Sequence, residues 1–361
     1  MPDDVVMLDD QTAEVLSYWD LKPGMWRVAG IVTTSLEGLA RPIVEIAGEQ
    51  YLLRRQPDDL TERDTLFRHT FTRHLAAQGL PIPALLPRPD GHSYAVAENG
   101  IFELQAWSAG QPYTSDAALA EDWLAAAATT LGALHQASAD FQWQPHLWPE
   151  ERSSAAIAQA YLRLVRERAD AADLPASVRA GLARVAEEAT GRLGDAVAAL
   201  SGGMRPPELH IHGDYQAHNL SFDGAGVAAI YDFDTAHFAR RIDELAYALF
   251  YFTGVRWDDD PSVTPPRSAD GLDVLAVHRF LSAYGDEAPP AEGEARLLAD
   301  ALALAFPVVF ANGVAEDLIF TDDYGEPPDE EDALGRLAWA DTFWLWLDRY
   351  RDTLAQAWSA S

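Results

Sequence analysis

The residues best able to do chemistry lie in one run, His210-Ile-His212-Gly-Asp214-Tyr-Gln-Ala-His-Asn219, and in Asp232-Phe-Asp234 a short interval later. Leu209 to His212 reads as a short strand that delivers the chain into a loop from Gly213 to Asn219. Leu220 to Phe222 and Val227 to Tyr231 read as a hairpin turned at Asp223 to Gly226. Such a hairpin returns Asp232 toward Asp214 and Asn219, so that three oxygen-bearing side chains converge from two loop ends. Phosphoryl transfer needs that grouping. A carboxylate must accept or orient the proton of an attacking hydroxyl, and hard oxygen ligands must hold magnesium against nucleotide phosphates. On this reading Asp214 orients the acceptor hydroxyl, while Asn219 and Asp232 ligate the metal. What remains is positioning and charge neutralisation.

The elements that must position these residues fall into two textures. Up to about residue 105 the chain is strand-rich after a short leading helix. Val28 to Thr33, Pro42 to Ile46 and Gln50 to Arg54 are strand-like runs, with Gly48 and Glu49 as a tight hairpin between the second and third. A helix pattern runs from Thr61 to Gln78 with Leu66, Phe67, Thr70, Phe71 and Leu75 on one face, and Gly79, Pro81 and Pro83 end it. Ser93 to Glu98 and Ile101 to Trp107 are two further strands joined at Asn99-Gly100. After Gly110 the sequence becomes long, alanine-rich helices: Asp116 to Ala139, Ser154 to Ala171 and Ser177 to Leu200. The strand-rich interval from Leu209 to Phe233 follows, and then helices to Trp358.

Composition bounds the partners. At 361 residues the length favours two lobes. Acidic residues number 57 against 26 basic ones, and the resulting charge of -31 repels nucleic acid and anionic membrane while favouring a cationic ligand. With no cysteine there is no disulfide framework, thiolate nucleophile or cysteine zinc site. The acidic Met-Pro-Asp-Asp start lacks the layout of a signal peptide. Ala299 to Ala315, interrupted by Asp300, Pro307 and Asn312, reads as a buried core helix too short to span a bilayer. The expectation is a cytoplasmic protein.

His212-Gly-Asp214, Asn219 and then Asp232-Phe-Asp234 resemble the catalytic loop and metal motif of the aminoglycoside phosphotransferase and choline kinase superfamily. Leu131-Gly-Ala-Leu-His135, Arg241-Ile-Asp243-Glu-Leu-Ala246 and Gly79-Leu-Pro-Ile-Pro83 are similar to flanking segments of that family, in order, over roughly residues 25 to 285. The resemblance implies an α+β, protein-kinase-like fold of two lobes. Residues 1–106 would form a small antiparallel-sheet lobe with one helix, and residues 107–361 a large, mainly helical lobe. It implies magnesium and ATP or GTP, with Arg54, Gln105 and Trp107 as nucleotide-binding residues and Asp234 as a further metal ligand or the neighbour of one. His212 then supports the loop through its backbone, and Asp243 anchors a helix start or pairs with Arg240 or Arg241.

One departure is sharp. The family's strand lysine, which contacts phosphates and pairs with a helix glutamate, has no counterpart, because the only lysine is Lys22, before the first strand. Arg54 stands in its place, with a planar fork where an ammonium point charge is expected. Glu62 opens the helix, but Arg68 lies nearer the place of the partner glutamate, and Thr33 to Leu39 holds only Gly38. A pseudokinase is therefore the second reading, opposed by the retention of Asp214, Asn219 and Asp232. A third, a metallohydrolase built on His210, His212 and Asp214, lacks a further histidine where Tyr215 stands. The acceptor is expected to be a small-molecule hydroxyl, aminoglycoside-, choline- or amino-acid-like. Asp258, Asp259, Asp322 and Asp323 are candidates to meet an amine, and Trp257 or Trp148 to stack on it.

Overall fold

The computed structural model describes residues 12–33, 40–108, 110–114, 118–143, 153–203, 205–254, 271–321 and 326–360. The chain divides into two compact units, one running to Gly110 and taking in Ala229–Asp234, the other formed by Gln111–Ala228 and Thr235–Ser361.

In the first unit a helical turn over residues 12–16 and a 3-10 turn, Ser17–Trp19, lead into β1 (Trp26–Thr33), β2 (Ala40–Ile46) and β3 (Glu49–Arg55). Helix α1 (Glu62–Ala77) follows, then β4 (Ala95–Ala97) and β5 (Gly100–Ala106). The strands form one antiparallel sheet in the order β1-β2-β3-β5-β4. Alternation along β3 and β5 sorts their side chains between two faces. Leu53, Phe102 and Leu104 join Val15, Leu16, Trp19, Val44 and Ala95 in a hydrophobic core. The alternate residues, Leu52 opposite Gln105 and Arg54 opposite Glu103, share the other face.

Both hairpin turns fall one residue earlier than the sequence implied. Ile46 pairs with Glu49, so the turn is Ala47-Gly48, with φ of 54° and 91°. Two left-handed residues match the twist of the flanking strands, and that requirement outweighs the mild cost at Ala47. Ala97 likewise pairs with Gly100, which therefore begins β5 and leaves Glu98-Asn99 as the turn.

Helix α1 opens on a capping box: the Thr61 hydroxyl accepts the Asp64 amide, and the Asp64 carboxylate accepts the Thr61 amide. Its buried face differs from the expected one. Leu66 is 45% exposed, while Thr65, Phe67, Phe71 and Leu75 are buried together with Arg68 and His69. Two polar residues displace an apolar one because each finds a carboxylate, Asp234 for Arg68 and the buried Glu103 for His69.

The second unit opens with β6 (Gln111–Pro112), α2 (Ala120–Ala139), α3 (Ser154–Ala169) and α4 (Ala176–Leu200). Then come β7 (Glu208–Ile211), β8 (Leu220–Asp223), β9 (Gly226–Ile230), whose last two residues belong to the first unit, and β10 (His237–Arg240). Helices α5 (Arg241–Thr253), α6 (Val274–Glu287), α7 (Leu298–Val309), α8 (Glu316–Ile319) and α9 (Glu330–Ser359) complete it. Strand β8 lies between β6 and β9, and β7 pairs antiparallel with β10, His210 opposite Phe238. The helical run Glu294–Val314 is 21 residues long and, by length and composition, apolar enough to cross a membrane. It is longer than the sequence reading allowed, since it begins earlier, with a 3-10 turn at Glu294–Leu297, before running through Pro307 into a π turn, Phe310–Val314. Its most apolar window is 72% buried against the rest of the chain, as a core helix requires.

Candidate active site

The loop after β7 is held from beneath by a carboxylate that the sequence reading did not single out. Glu244, in the first turn of α5, accepts the amides of Gly213 at 2.6 Å and His212 at 3.3 Å. His135 from α2 meets the same carboxylate through Nε2 at 2.8 Å and the Tyr284 hydroxyl through Nδ1 at 2.7 Å. Burial pushes Glu244 upward, but the hydrogen bond and charge of His135, with His212 and the Gly213 amide, outweigh it and lower its pKa. Gly213 itself cannot be replaced freely. Its φ is 87°, and a Cβ there would lie 2.2 Å from the Thr235 carbonyl oxygen.

Asp214 is thereby presented with its carboxylate among donors. Tyr247 of α5 donates at 2.6 Å, Asn219 at 2.8 Å and Gln216 at 3.0 Å to each oxygen. The Asn219 amide nitrogen also bonds the Asp214 carbonyl at 2.8 Å, so the Asn219 atom suited to a cation is its side-chain oxygen. Burial and the charge of Asp214 together hold the Tyr247 hydroxyl well above its ordinary pKa, so it acts as a donor. Tyr251 packs beside Tyr247 with ring centres 4.7 Å apart. His212 is buried and its Nδ1 accepts the Asp214 amide at 3.2 Å. His210 lies edge-on to Phe141 and Phe238 at 5.0 and 5.3 Å. The two histidines are thus engaged in the loop and the core, which removes the structural basis of the metallohydrolase reading. Asp243 pairs with Arg240 at 2.9 Å and accepts from Ser154 at 2.9 Å. Its burial raises its pKa against the pull of Arg240.

Within the first unit a second cluster forms around Arg54. Its Nη1 donates to Asp234 at 2.9 Å and to Glu103 at 3.4 Å, and its Nη2 to Asp232 at 2.8 Å and to Asp234. Arg68 from α1 donates to the same Asp234 and to Gln56. Glu103 in turn meets His69 Nε2 at 2.7 Å, and His69 Nδ1 meets the Ser93 hydroxyl at 2.7 Å. The position from which a helix glutamate was expected therefore carries Arg68, and the counter-charge comes from β5. Burial works to raise Glu103, yet His69, Arg54 and Arg68 bring it down to about 2. Desolvation opposes the charge of Arg54, but Asp234, Asp232 and Glu103 raise its pKa further, so it stays protonated. Burial and the like charge of Asp232 push Asp234 up against the two guanidiniums.

Asp232 has φ of 61°, a left-handed conformation that aspartate tolerates better than most residues but that still stores strain. The segment is pinned by Ile230, whose amide donates to Pro81 at 2.9 Å, and by Phe233 packing edge-on to Phe71. Gln105 is buried on the Arg54 face of the sheet. Trp107 lies tilted over Tyr231 with ring centres 6.3 Å apart.

The first unit thus brings Arg54, Asp232 and Asp234 into direct contact, and the second brings Asp214, Asn219 and His212 together. Glu244, Tyr247 and Glu103 were missed as site residues, and Arg68 was singled out only as standing where a glutamate was expected. Glu103 was recoverable from strand register, since a buried glutamate must face a cation. The stretch around Gly38, and Trp148, Trp257, Asp258, Asp259, Asp322 and Asp323, lie outside the described residues.

Fit to magnesium is uneven across the candidate ligands. The Asp232 side chain is 38% exposed and can present oxygen to a cation. That of Asp234 is 13% exposed with both oxygens on arginine donors, which fits a divalent ligand poorly. Among the described residues no group of three or more His, Asp or Glu could hold a metal by itself.

No curated protein matches the chain by sequence. Solved structures share its fold. An aminoglycoside phosphotransferase from Alicyclobacillus acidocaldarius is 16% identical with a TM-score of 0.65, over 94% of this chain and 95% of the other. An amicoumacin kinase in complex with AMP-PNP and Ca2+ is 13% identical with a TM-score of 0.59, over 98% and 93%. A choline kinase from Cryptosporidium parvum is 12% identical with a TM-score of 0.57, over 99% of both chains. The fold is accordingly the protein-kinase-like one expected, with an antiparallel-sheet N-terminal region and a helical C-terminal region. The model of the phosphotransferase enzyme family matches residues 41–284, through both clusters, and the chain belongs to that family.

Proposed function

We propose that the chain transfers the γ-phosphoryl group of ATP or GTP to a hydroxyl of a small, amine-bearing molecule, with magnesium as cofactor. The observation that carries this reading is the Asp214 carboxylate, fixed by Tyr247, Asn219 and Gln216 at 2.6 to 3.0 Å on a loop anchored by Glu244. A carboxylate so held is oriented to accept the proton of an attacking hydroxyl. Asn219 and Asp232 are proposed as oxygen ligands of magnesium, which when bound supplies charge neutralisation for the phosphates. Arg54, with Gln105 and Trp107, is proposed to hold the nucleotide, and His212 and Asp243 to support the loop and the start of α5. The tilted ring pair of Tyr247 and Tyr251 beside Asp214, in a chain of charge -31, suits a cationic acceptor. A cytoplasmic location accords with that reading.

A second reading has its own observation. Arg54 is already committed to Asp232, Asp234 and Glu103, the arrangement of a pseudokinase that binds a nucleotide or partner without turnover. The test is release of nucleoside diphosphate from Mg-ATP and Mg-GTP against a panel of amino alcohols and aminoglycosides, with Asp214→Asn alongside. Acceptor-dependent release that falls at least about a hundredfold in the variant supports the enzyme. Nucleotide binding without acceptor-dependent release by the wild type contradicts it in favour of the second reading.

A further inference from the structure

We infer that Asp234 is the counter-ion of a paired-guanidinium anion site rather than a metal ligand, and that Arg68 is a nucleotide-positioning residue acting through it. The ligand class is a nucleoside polyphosphate, and the inference rests on the phosphotransferase reading above.

Two guanidinium groups of like charge lie on one carboxylate in the interior of the first unit, Arg54 at 4% and Arg68 at 3% exposure. Such a pair is held only by anions, and each fork matches a phosphate as well as it matches a carboxylate. The donors of Arg54 Nη1 and Nη2 are spread over Glu103, Asp234 and Asp232, so a polyphosphate must compete for them. Glu103 is a poor loser in that competition, being bonded to His69 as well. Asp234 is the carboxylate that ties both arginines, and its hold on Arg54 is shared with Arg68.

A second observation points to an oxyanion. Arg68 Nε and Gln56 Nε2, in side chains already bonded to each other, are buried donors with no acceptor. A buried donor without an acceptor is costly, and it calls for an oxygen atom. Between two guanidiniums, by contrast, a divalent cation on Asp234 meets repulsion from both sides.

The roles separate in sign. If Asp234 is the counter-ion, Asp234→Asn releases both arginines to the phosphates. Calorimetric titration of ATP into the full chain, in excess chelator and again in magnesium, then shows metal-free affinity rising about tenfold, with Mg-ATP affinity changed less than about threefold. Arg68→Met leaves Asp234 to close on Arg54 alone, and ATP affinity falls about tenfold with and without metal. Arg68→Lys restores part of that loss. If Asp234→Asn does not fold, Arg68→Met/Asp234→Asn, which keeps the buried charge balanced, carries the same test: with the counter-ion gone Arg68 no longer acts through it, and metal-free ATP affinity again rises above that of the wild type.

Loss of the magnesium-dependent gain in either Asp234 variant, with metal-free affinity unchanged, makes Asp234 a metal ligand and overturns the inference. A lowered urea midpoint in Arg68→Met with both affinities at the wild-type level reduces Arg68 to a structural brace and also overturns it. Either result leaves the phosphotransferase reading standing. A wild-type chain that binds ATP under neither condition defeats both.

Discussion

Glu103 is the carboxylate that faces Arg54 directly across β3 and β5, and replacing it with glutamine tests whether that pair organises the small unit. Its pKa falls from an ordinary 4.5 to about 2 in the fold, under the influence of His69, Arg54 and Arg68. At about 1.4 kcal/mol per pH unit, that difference makes the ionised carboxylate worth roughly 3 kcal/mol of stability. Because the folded pKa is the lower one, the contribution is complete above pH 4.5 and is lost as pH falls toward about 2. Glu103→Gln resembles the protonated residue and lacks the contribution at every pH. Urea denaturation of wild type and variant should therefore differ by roughly 3 kcal/mol at pH 7, with a gap that narrows steadily on acidification below pH 4.5. A gap under about 0.5 kcal/mol at pH 7, or one of equal size at pH 7 and pH 3, would refute the reasoning.

Gly213→Ala places a Cβ 2.2 Å from the Thr235 carbonyl at a φ of 87°, so it should destabilise the chain by about 2 kcal/mol or more. Thermal denaturation reads it, and an unchanged midpoint contradicts the packing described. Tyr247→Phe removes the hydroxyl that donates to Asp214 at 2.6 Å, a bond to a charged group worth about 1.5 to 3 kcal/mol. Steady-state kinetics should show kcat reduced about tenfold with nucleotide affinity unchanged. An unaltered kcat would remove Tyr247 from the site.

The sequence exposed most of the fold because its signals are local. Capping at Thr61, the glycine at 79 and the alternation of β3 and β5 mark their elements within a few residues. Strand β10, His-Phe-Ala-Arg, escaped notice because four residues without an apolar run become a strand only by pairing with β7. The chemistry-bearing motif was visible because its residues are close in sequence. Glu244 was overlooked beside Asp243 since only the direction of the helix decides which neighbour reaches the loop amides. Arg68 and His69 broke the apolar face of α1 for a reason no periodicity contains. Their partners, Asp234 and Glu103, lie 166 and 34 residues away.

The proposed function makes Asp232 the metal ligand of a nucleotide site completed by Arg54. Calorimetry of ATP binding, with and without magnesium, on wild type, Asp232→Ala and Arg54→Ala tests it most directly. Asp232→Ala should abolish the magnesium-dependent part of binding, and Arg54→Ala should weaken binding under both conditions. Binding by wild type that is indifferent to magnesium and unchanged in Asp232→Ala would contradict it.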